Sequence, residues 1–301
     1  MGEENGMHIV YMNGGLGNQL FQFMFYRWLR KVMPTADIVI DDSKFWGDDV
    51  PHHGYEIKRI FGLDLPLLSS RFTADVWNYM LTARQHGKSI AEQLSINGLN
   101  ICMVREKGLR NTDFHGIVQD FGPGDQLEIN INDNIYWYGF WLSNFFYYHA
   151  TEEITQDIKF PVFMDQSNLQ LQEMIKNASE PTAIHVRRGD MAKAGWTASP
   201  EYYKQLIYSL DKVREVSLYL LFSDDIQWCE MHTSELGLDM IQDRLIVVDN
   251  NRAENYWRDL QLMSLCKNRI SDRSSFSLLA GLLCQYPQKI DLNRFLGCWK
   301  E

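Results

Sequence analysis

The sequence is short of positive charge. Its 29 Lys and Arg face 39 Asp and Glu, a formal net charge of −10 with a pI near 5.3. A protein that wraps nucleic acid needs a basic face to neutralise phosphates, so this average argues against that class. Cysteine is also sparse. Cys102, Cys229, Cys266, Cys284 and Cys298 are an odd number, widely spread and without a Cys-x-x-Cys pair. That pattern excludes a disulfide framework or a cysteine zinc site and fits a reducing compartment. Long apolar runs are missing; a stretch such as Leu218–Phe222 falls far short of the ~20 residues of a membrane span. The opening MGEENGMHIV is acidic and polar, unlike a signal peptide, so a soluble, cytoplasmic protein is expected. No repeat and no low-complexity tract interrupts the chain, which sets aside collagen-like and disordered classes.

What is present is the composition of a globular protein of 301 residues, 45% hydrophobic and 13% aromatic. That length suits about two domains or one large α/β unit. Met7–Met12 is a short apolar run followed by Gly14, Gly15 and Gly17. From Asn18, Leu20, Phe21, Met24, Phe25, Trp28, Leu29 and Val32 recur at helical steps until Pro34. Ala36–Ile40 then reads as a strand ending at Asp41 and Asp42, which completes a βαβ unit and favours a parallel sheet. Residues 45–150 are less regular. Trp137, Tyr138, Phe140, Trp141, Phe145, Phe146, Tyr147 and Tyr148 crowd together there, either as core packing or as a platform for a sugar ring. The second half alternates more clearly. Thr182–Arg188, Ser217–Phe222, Leu245–Val248 and Asn268–Ser271 read as strands; Tyr202–Leu210, Glu254–Lys267 and Phe276–Gln285 read as helices. The expected architecture is α/β with two Rossmann-like domains facing a cleft, residues 1–165 and 166–301, the last helix free to pack back on the first domain.

Three segments carry candidate chemistry. Gly14-Gly15-Leu16-Gly17-Asn18-Gln19-Leu20 places glycines between a strand and a helix, where backbone N–H groups can approach an anion. It meets Gly-x-Gly-x-x-Gly at Gly15 and Gly17 and breaks it at Leu20; with Asp41 and Asp42 positioned for a ribose, a nicotinamide dehydrogenase stays open as a reading. A tight turn with a capping Asn would equally account for the glycines. The second segment, His185-Val186-Arg187-Arg188-Gly189-Asp190, sets two arginines at the carboxyl edge of a parallel sheet. Alternation along a strand puts His185 and Arg187 on one face and Arg188 on the other. One arginine can then fork onto phosphate while the other pairs with a carboxylate such as Asp190. The third is Ser274-Ser275-Phe276-Ser277, before a helix, which reads as an anion cradle or as plain capping. Ser223, Asp224 and Asp225 end another strand. No Asp-x-Asp occurs, so a diphosphate would be neutralised by arginine and helix ends rather than through the usual metal-bridging signature.

Taken in order, these segments resemble the alpha-1,2-fucosyltransferase family (glycosyltransferase family 11), bacterial type. The resemblance runs through Gly14–Gln22, Gly139-Phe140-Trp141-x-Ser143, His185–Asp190, Phe222-Ser223-Asp224-Asp225-x-x-Trp228, Asp259–Cys266 and Ser274–Ser277. The His-x-Arg-Arg-x-Asp motif is shared with alpha-1,6- and protein O-fucosyltransferases; the glycine-rich start and the serine-rich end narrow it. Departures are Leu142, where the family usually has Gln, Arg273 in place of Asn, and Leu278-Leu279 in place of paired Trp.

The resemblance implies a GT-B fold and inverting transfer of L-fucose from GDP-beta-L-fucose to a hydroxyl, O2 of a terminal galactose in a glycan. No metal and no other cofactor is implied. In such enzymes the first arginine of the motif grips the beta-phosphate, which maps to Arg187. Asp259, with His185, would hold guanine, and Ser274, Ser275 and Phe276 the phosphate or ribose, beside Arg188, Ser223 and Asp224. Asn18 would face the reaction centre, and Gln19, Trp141 and Ser143 would lie on the acceptor side. No general base carries over, and Asp190 fits only by its place beside the arginines. Implied partners are GDP-fucose and a galactose-containing glycan of an O-antigen type pathway, with peripheral contact to a lipid-linked glycan and no nucleic acid. Another nucleotide sugar, another fucosyl linkage and a non-catalytic carbohydrate-binding protein remain as alternatives.

Overall fold

Strands β1 (Met7–Tyr11) and β2 (Asp37–Asp41) flank helix α1 (Leu16–Val32) in a computed structural model that describes residues 6–48, 50, 52–109, 114–126, 130–149 and 151–293. Cys298 lies outside the described residues. The helix buries Leu20, Phe21, Met24, Phe25, Trp28 and Leu29 as its spacing predicts, whereas Val32 at its end is exposed. Three further strands complete the first sheet: β3 (Ile101–Glu106), β4 (Ile117–Phe121) and β5 (Asn134–Tyr138). All are parallel, in the order β2-β1-β5-β3-β4.

The second sheet follows the same logic. Strands β6 (Thr182–Val186) and β7 (Tyr219–Ser223) are buried throughout, as central parallel strands covered on both faces must be. With β8 (Leu245–Val248), β9 (Asn268–Ser271) and β10 (Ile290–Asn293) they run parallel in the order β10-β9-β6-β7-β8. Helices α2 (Trp257–Leu265) and α3 (Ser275–Leu283) flank β9 in sequence. The direction of winding reverses between β6 and β9, the position at which doubly wound sheets hold ligands.

The chain divides into compact units Met1–Lys159 and Phe160–Glu301. The segment after Lys159 is fastened to the second unit: Phe160 stacks on Trp257 at 6.2 Å, and Arg258 donates to the carbonyls of Pro161 (2.6 Å) and Val162 (3.1 Å). Each unit is a parallel α/β layer structure, so the expected GT-B-like class of two Rossmann-like domains is the one observed.

Trp137, Trp141 and Phe146 of the aromatic crowd are core and offer no ring face to a sugar, while Tyr138, Phe140 and Phe145 are half-buried. Trp137 and Trp141 are fully buried, Phe146 nearly so, and Trp141 stacks on Phe25 with centroids 3.8 Å apart. The side chains of Tyr147 and Tyr148 lie outside those described. The motif that contains Trp141 wraps a carboxylate. Glu106 Oε2 accepts from the N–H groups of Phe140 (2.7 Å) and Trp141 (2.8 Å), which brings Trp141 to φ +57°. A left-handed bulky residue costs about 1–3 kcal/mol, here offset by charge-assisted hydrogen bonds and ring stacking. Burial raises the Glu106 carboxyl above its ordinary range, and these backbone donors oppose the shift. Gly139 is needed because a Cβ there would stand 2.6 Å from that of Glu106. Gly139→Ala is therefore expected to cost about 2–3 kcal/mol in urea unfolding; an unchanged midpoint would show that the turn yields.

Candidate active site

The three motifs of the second half meet at one edge. Register pairs His185 with Phe222 and Ser271, and Val186 with Ser223, so the segments after β6, β7 and β9 leave the sheet side by side at the winding reversal. Arg187 and Arg188 start one segment, Asp224 and Asp225 the next, and Asp272 to Ser274 the third.

The arginines divide their work through a single carboxylate. Arg187 Nη1 donates to Asp224 Oδ2 at 2.5 Å, while Asp224 Oδ1 accepts the backbone N–H of Arg188 at 2.8 Å. Arg187 Nη2 donates to Asp190 at 2.5 Å. Asp190 thus partners Arg187 and not Arg188, a correction to the expected pairing that follows from the one-turn spacing of Arg187 and Asp190 around Gly189. Arg188 turns to Asp225 (3.2 Å) and lies over the Trp228 ring at 3.6 Å. Gly189 has φ +23°, and a Cβ there would stand 2.5 Å from Asp224 Oδ2. Two arginines against Asp190, Asp224 and Asp225 leave this cluster slightly acidic, so its cations are held ready rather than surplus. Asp190 is the most open carboxylate, its side chain 66% exposed.

Ser223, expected among the donor-side residues, has its hydroxyl engaged within the sheet edge. Its Oγ donates to Val186 O (2.7 Å) and accepts from Asp225 N (3.0 Å), clasping the ends of β6 and β7. Ser274 caps α3, accepting from Ser277 N at 3.4 Å, and Ser275 and Phe276 begin that nine-residue helix. His185 is buried against Phe276, centroids 6.0 Å apart, and its Nδ1 has no hydrogen-bond partner among the described residues. Burial, then the charge of Arg187, pushes its pKa down to about 3, so the ring is neutral. Phe276 in turn stacks on Tyr256, whose carbonyl accepts the N–H of Asp259. Asp259 is half-buried. Burial raises its carboxyl to about 7 against the opposing pull of Asn251 and Arg252.

In the first unit the glycine turn is shaped from within. Gly14 has φ +84° and lies under the Asn18 side chain: a Cβ would stand 2.6 Å from Asn18 Nδ2. Gly15 is the N-cap of α1 and Gly17 sits in its first turn. Gln19 is fully buried, with Nε2 donating to the carbonyls of Gly14 (2.9 Å) and Gly54 (2.8 Å) and Oε1 accepting from Glu56 N (2.9 Å). Ser143 Oγ accepts from Phe145 N. Gln19, Trp141 and Ser143, expected on the acceptor side, are all buried, and Gln19 and Ser143 spend these hydrogen bonds within the fold. Asp41 and Asp42 are likewise engaged. Asp41 accepts from Tyr136 Oη and Ser43 N, and Asp42 from Trp46 Nε1 and Ser69 N. No ribose pair is left for the dehydrogenase reading.

Sequence reasoning missed Arg252, which follows β8 and reaches Ser223 O at 3.5 Å, and the buried pair Asn168 and Asn251. A strand-end arginine is a signal that could have found the first; an isolated Asn in a polar loop offers none. Among the described residues no group of three or more His, Cys, Asp or Glu is arranged to hold a metal ion, and no helix is long and apolar enough to cross a membrane.

The family model described as Glycosyl transferase family 11 matches residues 123–288. The O-antigen biosynthesis glycosyltransferase WbnK of Escherichia coli is 23% identical over 295 residues, covering 93% of this chain and 91% of the relative. An alpha-1,2-colitosyltransferase of Escherichia coli is 24% identical over 291 residues, covering 94% and 90%. Among solved structures, the fucosyltransferase NodZ from Bradyrhizobium is similar with a TM-score of 0.52 at 12% identity, 93% of each chain covered. A NodZ alpha-1,6-fucosyltransferase co-crystallized with GDP gives the same TM-score at 14% identity, again with 93% of each chain covered.

In a histidine-selective NMR titration, His185 is expected to show no protonation between pH 8 and pH 5, its pKa lying near 3. A midpoint near the ordinary imidazole value would show the ring to be open to water.

Proposed function

The chain belongs to glycosyl transferase family 11, and from that premise we propose that it transfers L-fucose from GDP-beta-L-fucose to O2 of a terminal galactose in a glycan, with inversion and without a metal. The observation that carries this reading is the convergence of Arg187, His185 and the start of α3 at the winding reversal of the second sheet, with Asp259 joined through Tyr256 and Phe276. That unit is the nucleotide-binding one. The diphosphate approaches Arg187, displacing the exposed Asp190, while Asp224 keeps the guanidinium aimed. The first turn of α3 adds a positive helix end. As the bond from sugar to diphosphate breaks, negative charge gathers on the departing oxygen and oxocarbenium character on the sugar. Arg187 and the helix end stabilise the former without reorganising. The acceptor hydroxyl attacks the opposite face, its placement supplying much of the rate for a loose transition state.

The base of the nucleotide is proposed to lie against Asp259, whose ionised carboxyl accepts from the Watson–Crick edge of guanine, near neutral His185. Because Asp259 ionises only as the pH rises through about 7, affinity for GDP should increase from pH 6 to pH 8. A second donor belongs in the same assay, because one relative carries the name alpha-1,2-colitosyltransferase. Transfer of colitose in preference to fucose would move the specificity without moving the site. The acceptor is proposed to be an O-antigen type glycan, after WbnK, and the setting cytoplasmic.

Arg187→Ala is expected to lower transfer by about 10²–10³-fold with the fold intact, and full activity would remove the phosphate clamp from the mechanism. EDTA is expected to leave the rate unchanged. GDP at about 100 times its dissociation constant should add ~2.7 kcal/mol of stability in thermal unfolding. Stabilisation by NAD or UDP instead of GDP would overturn the nucleotide assignment.

A further inference from the structure

Behind Asp259 lies a polar network that none of the proposed reaction steps uses. Asn168 and Asn251 are both buried and form a reciprocal amide pair: Asn168 Nδ2 donates to Asn251 Oδ1 at 2.8 Å, and Asn251 Nδ2 donates back to Asn168 Oδ1 at 3.1 Å. Their remaining donors point opposite ways, Asn168 to Asp165 Oδ2 (3.0 Å) and Asn251 to Asp259 Oδ1 (2.8 Å). Asn250 Nδ2 closes the group, donating to Asn168 Oδ1 (3.1 Å) and Asn251 Oδ1 (3.3 Å). Every polar atom of the pair is therefore occupied, and neither amide can flip without setting an oxygen against a carboxylate. Asp165, the N-cap of the helix Gln166–Asn177, anchors one end. At the other end Asp259 has one oxygen tied, while Oδ2 accepts no hydrogen bond from the described residues.

We propose that Asn251 is a positioning residue for the nucleotide base: locked by Asn168, it fixes one oxygen of Asp259 and presents the other, ionised, to the N1–H and amino donors of a guanine. The proposal rests on the reading of Asp259 as the guanine acceptor. A buried carboxyl left to itself would keep its proton and become a poor acceptor for two donors; a hydrogen bond to the charged form counters this. The charged group acting directly on Asp259 is Arg252, on the loop after β8. Asp165 reaches it only through Asn168 and is offset by Arg258. Helix α3, packed on α2, has no ionisable side chain. Asn251 is thus the neutral donor that keeps the carboxylate both aimed and charged.

The test is calorimetric titration of GDP into the full chain between pH 5.5 and pH 9, with inosine diphosphate, which lacks the amino group, as comparison. For Asn251→Ala the midpoint of the affinity profile is expected to move up by about one pH unit, with GDP binding about 10-fold weaker at pH 7 and within about threefold of wild type at pH 9. The preference for GDP over inosine diphosphate should shrink in parallel. Asn251→Ser keeps a shorter donor and should fall between the two, and it carries the test if the alanine variant does not fold. Equal weakening at every pH, or an unmoved midpoint, would overturn the proposal. Asp259→Asn separates the two levels. If it binds GDP with wild-type affinity and profile, the guanine reading itself fails. If it weakens binding and flattens the profile while the Asn251 variants keep the wild-type midpoint, only the positioning role fails.

Discussion

One carboxylate sets the geometry of the second unit's edge. Asp224 grips the guanidinium of Arg187 with one oxygen and the backbone N–H of Arg188 with the other. Two consecutive cations would otherwise repel along one strand end. Held this way they part, Arg187 toward the open edge and Arg188 toward Asp225 and the face of Trp228. The grip also dictates what may follow, since a side chain at position 189 would collide with Asp224. The Arg-Arg-Gly-Asp run is therefore a single mechanical unit, in which Arg187, Arg188 and Gly189 answer to the same carboxylate and Asp190 to Arg187.

The two units treat their winding reversals differently. In the first, the reversal falls between β1 and β5, and α1 laces it together: Gln22 accepts from Asn13 N after β1 and donates to Gly139 O after β5. Gln19 does the same for Gly14 and the stretch at Gly54 and Glu56. In the second unit the corresponding edge is lined with charged side chains that remain partly exposed. The glycine-rich start is a frame of buried amide hydrogen bonds, and the arginine-rich edge is the part whose charge stays within reach of solvent.

Much of this architecture is legible in the residues, for reasons tied to their type. The βαβ start declares itself because glycines interrupt an apolar run just before a helical stripe. Apolar strands such as Tyr219–Ser223 are buried on both sides and so read as continuous hydrophobic runs. By contrast β4 is mostly exposed and carries Gln119 and Asp120, so residues 45–150 look irregular although three strands pass through them. Residue type misleads where a polar or aromatic side chain serves the backbone. Gln19, Ser143 and Ser223 are written the same way whether they meet a ligand or a carbonyl, and only their partners, fixed by tertiary contact, tell the two apart. The Asn168–Asn251 pair is hidden for the same reason. Its members are far apart in sequence and meet only after β8 and the helix Gln166–Asn177 are in place.

The strand order has a consequence for how the molecule comes into being. β6 lies at the centre of its sheet, yet its neighbour at the winding reversal is β9, more than eighty residues later. On a ribosome, Arg187 emerges more than eighty residues before the helix start at Ser274. Loop closure between such distant partners is slow and comes late in folding. The second unit therefore cannot assemble its arginine-rich edge piecemeal. A chain that stops short of β9 carries the arginines with their carboxylate partners but lacks the strand and helix start that stand beside them at the winding reversal.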